Sequence, residues 1–173
     1  MLVVIINGVA RSGKDTFCKM CCEYVHTKSI SKIDTVTSIM KKYFGIDLYK
    51  DKTEKNRKIY ADFDYAIDEI LPDFWSKRVV EEVNMAAKEN VDILFVHCRL
   101  PERIDAAKNS ILKNTKYECV TLLINNDNVK KLKSNIADAS VFDYGYDFII
   151  ENNDGIDELK DRAKYFCSIH SNK

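Results

Sequence analysis

Residues 2–16 constrain this chain more than any other stretch. Leu2-Val3-Val4-Ile5-Ile6 is an unbroken apolar, largely β-branched run, the pattern of a strand covered on both faces. From Lys14 onward Phe17, Met20, Cys21, Tyr24 and Val25 fall on one helical face, so a helix is expected to about Val25. Between the two stands Gly8-Val9-Ala10-Arg11-Ser12-Gly13-Lys14-Asp15-Thr16, with the spacing G-x-x-x-x-G-K. That spacing, set between a buried strand and a helix, is the phosphate-binding loop of nucleotide-binding proteins. Glycines let the backbone curl so that successive N–H groups face inward toward phosphate oxygens. The helix directs the positive end of its dipole at the same anion, and Lys14 reaches the β- and γ-phosphates. The residue after Lys14 is Asp15, where the usual pattern has Ser or Thr for magnesium. Asp15 and Thr16 are therefore the expected Mg2+ ligands, with Thr16 also placed to meet an α-phosphate oxygen.

Further strands are expected at Ser29 to Asp34, Val91 to His97, Cys119 to Ile124 and Tyr146 to Ile150. Helices are expected over Thr35 to Phe44, closed by Gly45, then Glu54 to Ile70, Asp73 to Lys88, and Pro101 to about Lys113. Asn153-Asp154-Gly155 opens a last amphipathic helix. Strong apolar strands alternating with helices predict an α/β chain, a parallel sheet with helices on both faces. Its 173 residues suit one domain. Ligands of such sheets sit beyond the carboxyl ends of the strands. That points to Gly8 onward, Asp34, His97 to Arg99, Ile124 onward and Glu151 to Gly155.

Lysine plus arginine and aspartate plus glutamate number 27 each, so no overall field favours a polynucleotide or an acidic membrane. Cys18 and Cys21 have C-x-x-C spacing, but on a helix next to Phe17 and Met20 they read as small buried apolar residues. The first residues carry no basic leader, and no apolar stretch approaches the roughly 20 residues that span a bilayer. The expectation is a cytoplasmic protein, monomer or homodimer, whose partners are small molecules.

The string G-V-A-R-S-G-K-D-T resembles the phosphate loop of phage-type deoxynucleoside monophosphate kinases, and its G-K-D ending is similar to animal-type phosphomevalonate kinases. A group of small bacterial P-loop kinases is similar over nearly the whole chain. The matching segments are Ile30 to Asp34, Lys52-Thr53-Glu54-Lys55-Asn56-Arg57-Lys58, Phe95 to Ile104, and Tyr146 to Gly155. The resemblance implies a three-layer α/β/α P-loop NTPase fold with a five-stranded parallel sheet in order 2-3-1-4-5. It also implies a helical acceptor-binding insert over about 35–90 and a lid over about 125–145. The implied reaction moves the γ-phosphoryl group of Mg-ATP to a (deoxy)nucleoside monophosphate, with Lys14, Arg99 and Arg57 as catalytic residues. Gly8, Arg11, Ser12, Gly13, Lys14, Asp15 and Thr16 would hold the triphosphate, and Asn153 and Gly155 lie where related folds hold the adenine. Asp34, Arg57 and Arg99 would bind the acceptor.

The chain departs from these relatives in one direction. Thr37 and Asp64 stand where lysine is expected, and no arginine occurs between Arg103 and Arg162, although Lys130, Lys131 and Lys133 lie in the lid. Positive groups stabilise a transferring phosphoryl group, so their loss bears on turnover. Two alternatives stand beside the nucleotide kinase: a nucleotide-binding protein with weakened catalysis, and a kinase of a non-nucleotide phosphorylated molecule. Arg99 fits acceptor binding or a helix-capping ion pair, and Arg57 fits acceptor binding or a pair with Glu54. His97 fits a water-binding or a structural role. Trp75, Tyr60 and Phe63 fit core packing or the flanks of a bound base.

Overall fold

A computed structural model describes residues 1–47, 53–129 and 140–170, apart from the Arg57 side chain. In chain order the elements are β1 (Leu2–Asn7), α1 (Lys14–Cys21), β2 (Thr27–Ser31), α2 (Lys32–Phe44), α3 (Glu54–Ile70), α4 (Phe74–Lys88), β3 (Ile93–His97), α5 (Pro101–Asn114), β4 (Glu118–Asn125), a 3₁₀ turn (Ser140–Asp143), β5 (Phe148–Glu151) and α6 (Ile156–His170). The strands form one parallel sheet in the order β2-β3-β1-β4-β5, as expected. None of the described helices is long and apolar enough to cross a membrane.

β1 is central and buried throughout, and the period-two alternation of a strand divides its side chains between two cores. Leu2, Val4 and Ile6 face α1 and α6, where they meet Phe17 and Phe166, with Leu122 of β4 beside them. Val3 and Ile5 face α4 and α5, where they meet Val83, Ile104 and Ile111. Phe17 anchors the first core, its ring edge-on to Phe95 at 6.3 Å and to Phe166 at 5.7 Å. Cys18 and Cys21 are buried in the same core, as their helical placement implies. A third core lies outside the sheet. There Val36 and Met40 of α2 pack on Trp75 of α4, with Tyr60, Phe63 and Ile67 of α3 against them.

α3 occupies the span that its pattern predicts, and other elements shift at their ends, among them α1 and β2. α1 ends at Cys21 rather than near Val25, because Glu23 N and Tyr24 N turn back to the carbonyls of Met20 and Cys21, a tighter three-residue spacing. β2 covers Thr27–Ser31, so Asp34 does not end a strand. It lies in the first turn of α2, where its Oδ2 accepts the Ser31 N–H at 2.8 Å. Ser31 followed three residues later by an acidic side chain is a helix-start signal, and here that local capping outweighs the weak strand propensity of residues 32–34. Gly45 closes α2 with a φ of 70°.

Candidate active site

The loop from Asn7 to Lys14 takes its shape from contacts that admit almost no substitution. A Cβ on Gly8 would stand 2.5 Å from Ser12 Oγ and 2.7 Å from the Ile124 carbonyl, at a φ of 155°. Gly13, with a φ of 97°, caps α1, and a Cβ there would run into the side-chain amide of Asn152. Arg11, at a φ of 68°, is left-handed without being glycine and is exposed. Ser12 N donates to Val9 O at 3.1 Å and closes the curl. Lys14, Asp15 and Thr16 form the first turn of α1, where backbone N–H groups have no partner within the helix.

Two side-chain amides tie this loop to distant strands. Asn7 is fully buried: its Oδ1 accepts Gly8 N at 2.7 Å, and its Nδ2 donates to Arg99 O at 3.0 Å and to the Tyr146 hydroxyl at 2.6 Å. Tyr146 passes the chain on to Val141 O at 2.8 Å, and burial pushes its phenol up to about 12. Asn152, just after β5, donates from Nδ2 to Ser12 O at 2.8 Å.

On the β4–β5 side of the loop lies a pocket of about 260 Å³. Gly13, Thr16, Asn152, Asn153 and Gly155 line it, with Asn126 and Asn128. Here the structure brings together the loop and two residues expected at the adenine. Asn153 is held by Asp127, whose N–H donates to Asn153 Oδ1 at 2.8 Å and whose Oδ2 accepts Nδ2 at 3.0 Å.

On the β2–β3 side lies a larger cavity of about 700 Å³, within the roughly 300–1,000 Å³ of small-molecule sites. Its walls come from β2, α2, α3, α4, the end of β3 and α5, with Asp34, Asp68, Trp75, His97, Leu100 and Arg103 among them. Loop and cavity meet at His97 Nδ1 and Asp15 Oδ1, 3.7 Å apart. Burial pushes the His97 imidazole below the ordinary histidine range, the Asp15 carboxylate working against it and Lys14 with it.

The fit of a nucleotide rests on features of the loop itself. Ser12 Oγ is buried without a hydrogen-bond partner among the described residues, and the two glycines let the loop pack closely against Ile124 and Asn152. An exposed Asp15 carboxylate and the Thr16 hydroxyl are hard oxygen donors of the kind magnesium takes.

Arg99 follows β3, and its carbonyl is held by Asn7, but its side chain is absent from the cavity walls. The Arg57 side chain, and the lysines at 130, 131 and 133, lie outside the described residues. A four-charge group on the cavity side has no signal in the sequence. Arg103 Nη1 reaches Asp64 Oδ2 at 2.6 Å and its Nη2 pairs with Asp68, while Lys32 Nζ reaches Asp64 Oδ1 at 2.8 Å. These residues are spread over seventy positions, and only the anomaly of an acidic residue at 64 marked any of them. Asn7 and Asn152 as loop ties were equally invisible.

No protein-family model matches this chain, and no curated protein does. Among solved structures, a candidate kinase from Chloroflexus aurantiacus superposes with a TM-score of 0.54 at 11% identity, covering 99% of this chain and 97% of that one. A sugar kinase from a Janibacter species superposes with a TM-score of 0.51 at 14% identity, covering 98% and 95%. At such identities the likeness establishes architecture alone. Together with the strand order and the loop after β1, it shows that this chain has the P-loop kinase fold.

Proposed function

We propose that this chain binds Mg-ATP at the loop Gly8–Thr16 and transfers its γ-phosphoryl group to a small molecule held in the cavity beside β2 and β3. The observation that carries the proposal is the meeting of loop and cavity at Asp15 and His97. A donor phosphate on the first turn of α1 and an acceptor in the cavity are thereby neighbours. In-line transfer needs such adjacency and cations around the moving group. Lys14 supplies one cation at the loop, and magnesium, when bound through Asp15 and Thr16, supplies more. The pocket with Asn153 and Gly155 fits the base, and the loop amides with Ser12 and Thr16 fit the phosphate tail.

The sequence resemblance supports a (deoxy)nucleoside monophosphate as acceptor, with Arg99 and Arg57 contributing at its phosphate. The test is ADP release from Mg-ATP over a panel of monophosphates and of unphosphorylated hydroxyl compounds. Turnover with any member establishes phosphoryl transfer. Tight ATP binding with a silent panel points instead to a nucleotide-binding protein without transfer, which the arginine-poor lid favours. Loss of neither binding nor turnover in Lys14→Ala would remove the loop from the site.

A further inference from the structure

Among the described residues, three cations line the acceptor cavity, Lys32, Arg78 and Arg103. Each is already matched by carboxylates of this chain. Arg103 engages both Asp64 and Asp68 of α3, and Lys32 stands 2.8 Å from Asp64 and 3.9 Å from Asp68. Arg78 pairs with Glu81 at 3.0 Å and with Glu82 at 2.5 Å. Asp64 is only 6% exposed, so an incoming phosphate that took its cations would strand a carboxylate away from water. The lining also carries Asp34, Asp68, Glu82 and Glu102, which repel an anion but accept hydrogen bonds from hydroxyl groups. Apolar walls at Ile39, Trp75, Val79, Val96 and Leu100 complete it.

We infer that the acceptor is an uncharged hydroxyl compound with one apolar face, and that Asp64 and Asp68 set this specificity by holding Arg103 and Lys32 away from phosphate-bearing molecules. The inference rests on the phosphotransfer reading of the same site and departs from the monophosphate that the sequence resemblance supports. The transfer balances simply. The acceptor oxygen bonds to the γ-phosphorus as the bond from that phosphorus to the ADP oxygen breaks. The hydroxyl proton leaves to water, and the products are ADP and a phosphate monoester.

Trp75 is the sole tryptophan, lines the cavity and lies 4.2 Å below the Lys32 ammonium, so its fluorescence reports on this group of charges. The experiment titrates the Mg-ADP-loaded protein with inorganic phosphate and with thymidine monophosphate. It compares wild type, Asp64→Asn/Asp68→Asn, and Asp68→Asn alone. Asp68 is 30% exposed, so the single variant keeps the test alive where the double variant does not fold. Wild type is expected to give no saturable signal with either anion at millimolar concentration. The variants are expected to gain about tenfold in anion affinity, the effect of one freed charge-assisted hydrogen bond. Arg103→Gln in the Asp68→Asn background should abolish that gain, which a purely structural effect would leave in place. Equal anion affinity in wild type and variants overturns the inference, as does phosphorylation of thymidine monophosphate by wild type, although the latter upholds phosphotransfer. Failure of wild type to bind ATP overturns phosphotransfer itself, and a thermal-shift measurement with ATP made beforehand tells the two failures apart.

Discussion

Asn152 donates its side-chain amide to the carbonyl of Ser12 at 2.8 Å, joining residues 140 positions apart in the chain. The bond fastens the end of β5 to the phosphate loop, and the same amide stands where any side chain at Gly13 would have to go. Asn152→Ala is expected to cost about 1 kcal/mol of stability, the net value of a typical hydrogen bond. It should also weaken ATP binding about fivefold, because the loop would no longer be held ready for its ligand. Denaturant unfolding and an ATP titration measure the two effects separately; unchanged affinity would show that the loop keeps its shape without the tie.

Lys14→Ala tests the loop's charge. At a concentration 100 times the dissociation constant, ATP should stabilise wild type by about 2.7 kcal/mol. The variant should lose most of that gain while keeping its ligand-free melting temperature, since Lys14 is only partly buried. A variant that melts like wild type in ATP would place the ammonium away from the phosphates.

Asn7 has more at stake than Asn152, because three partners depend on one fully buried side chain. Asn7→Ala would leave Gly8 N and Arg99 O without their partner, each at a desolvation cost of about 1–3 kcal/mol. The expected loss is therefore about 2–6 kcal/mol, larger than for Asn152→Ala in the same unfolding assay. A loss below that of Asn152→Ala would mean that water takes over these contacts.

Asp147 gives a pH signature. Burial works to raise its carboxyl, but the Lys108 ammonium at 2.7 Å and the Thr121 amide and hydroxyl at 2.8 and 2.9 Å outweigh it and hold it below the ordinary aspartate value. A carboxyl depressed in the folded state stabilises above the unfolded value, about 3.9, and ceases to do so as pH falls through the folded value. The side chain is 40% exposed, so screening keeps the effect to about 1 kcal/mol. Wild type should exceed Asp147→Asn by that amount near pH 7, and the difference should shrink below about pH 4. A difference that is flat with pH would assign it to packing.

Much of this architecture is legible because it is local. The run Leu2–Ile6 and the helical periodicity of Glu54–Ile70 encode their own structure, and the spacing of Gly8, Gly13 and Lys14 encodes the loop. β2 was less legible because it is a half-buried edge strand, whose mixed residues carry neither an apolar run nor clear alternation. In the sequence alone Asp34 reads as a strand end, because a strand-end aspartate and a helix-capping aspartate look alike until the Ser31 amide is seen. The paired charges of Lys32, Asp64, Asp68 and Arg103 were not legible at all. Their meeting depends on how α2, α3 and α5 pack, and no spacing within one helix records that.

The sheet order carries one more consequence. β1 lies at the centre of the sheet, with the smaller pocket on its β4 flank and the larger cavity on its β3 flank. The walls of the cavity come largely from helices outside the sheet, which share a small core of their own around Trp75. On the phosphotransfer reading, substitutions there would alter the acceptor site without touching the strand that leads into the phosphate loop. On that reading, donor and acceptor would thus be governed from opposite sides of a single β-strand.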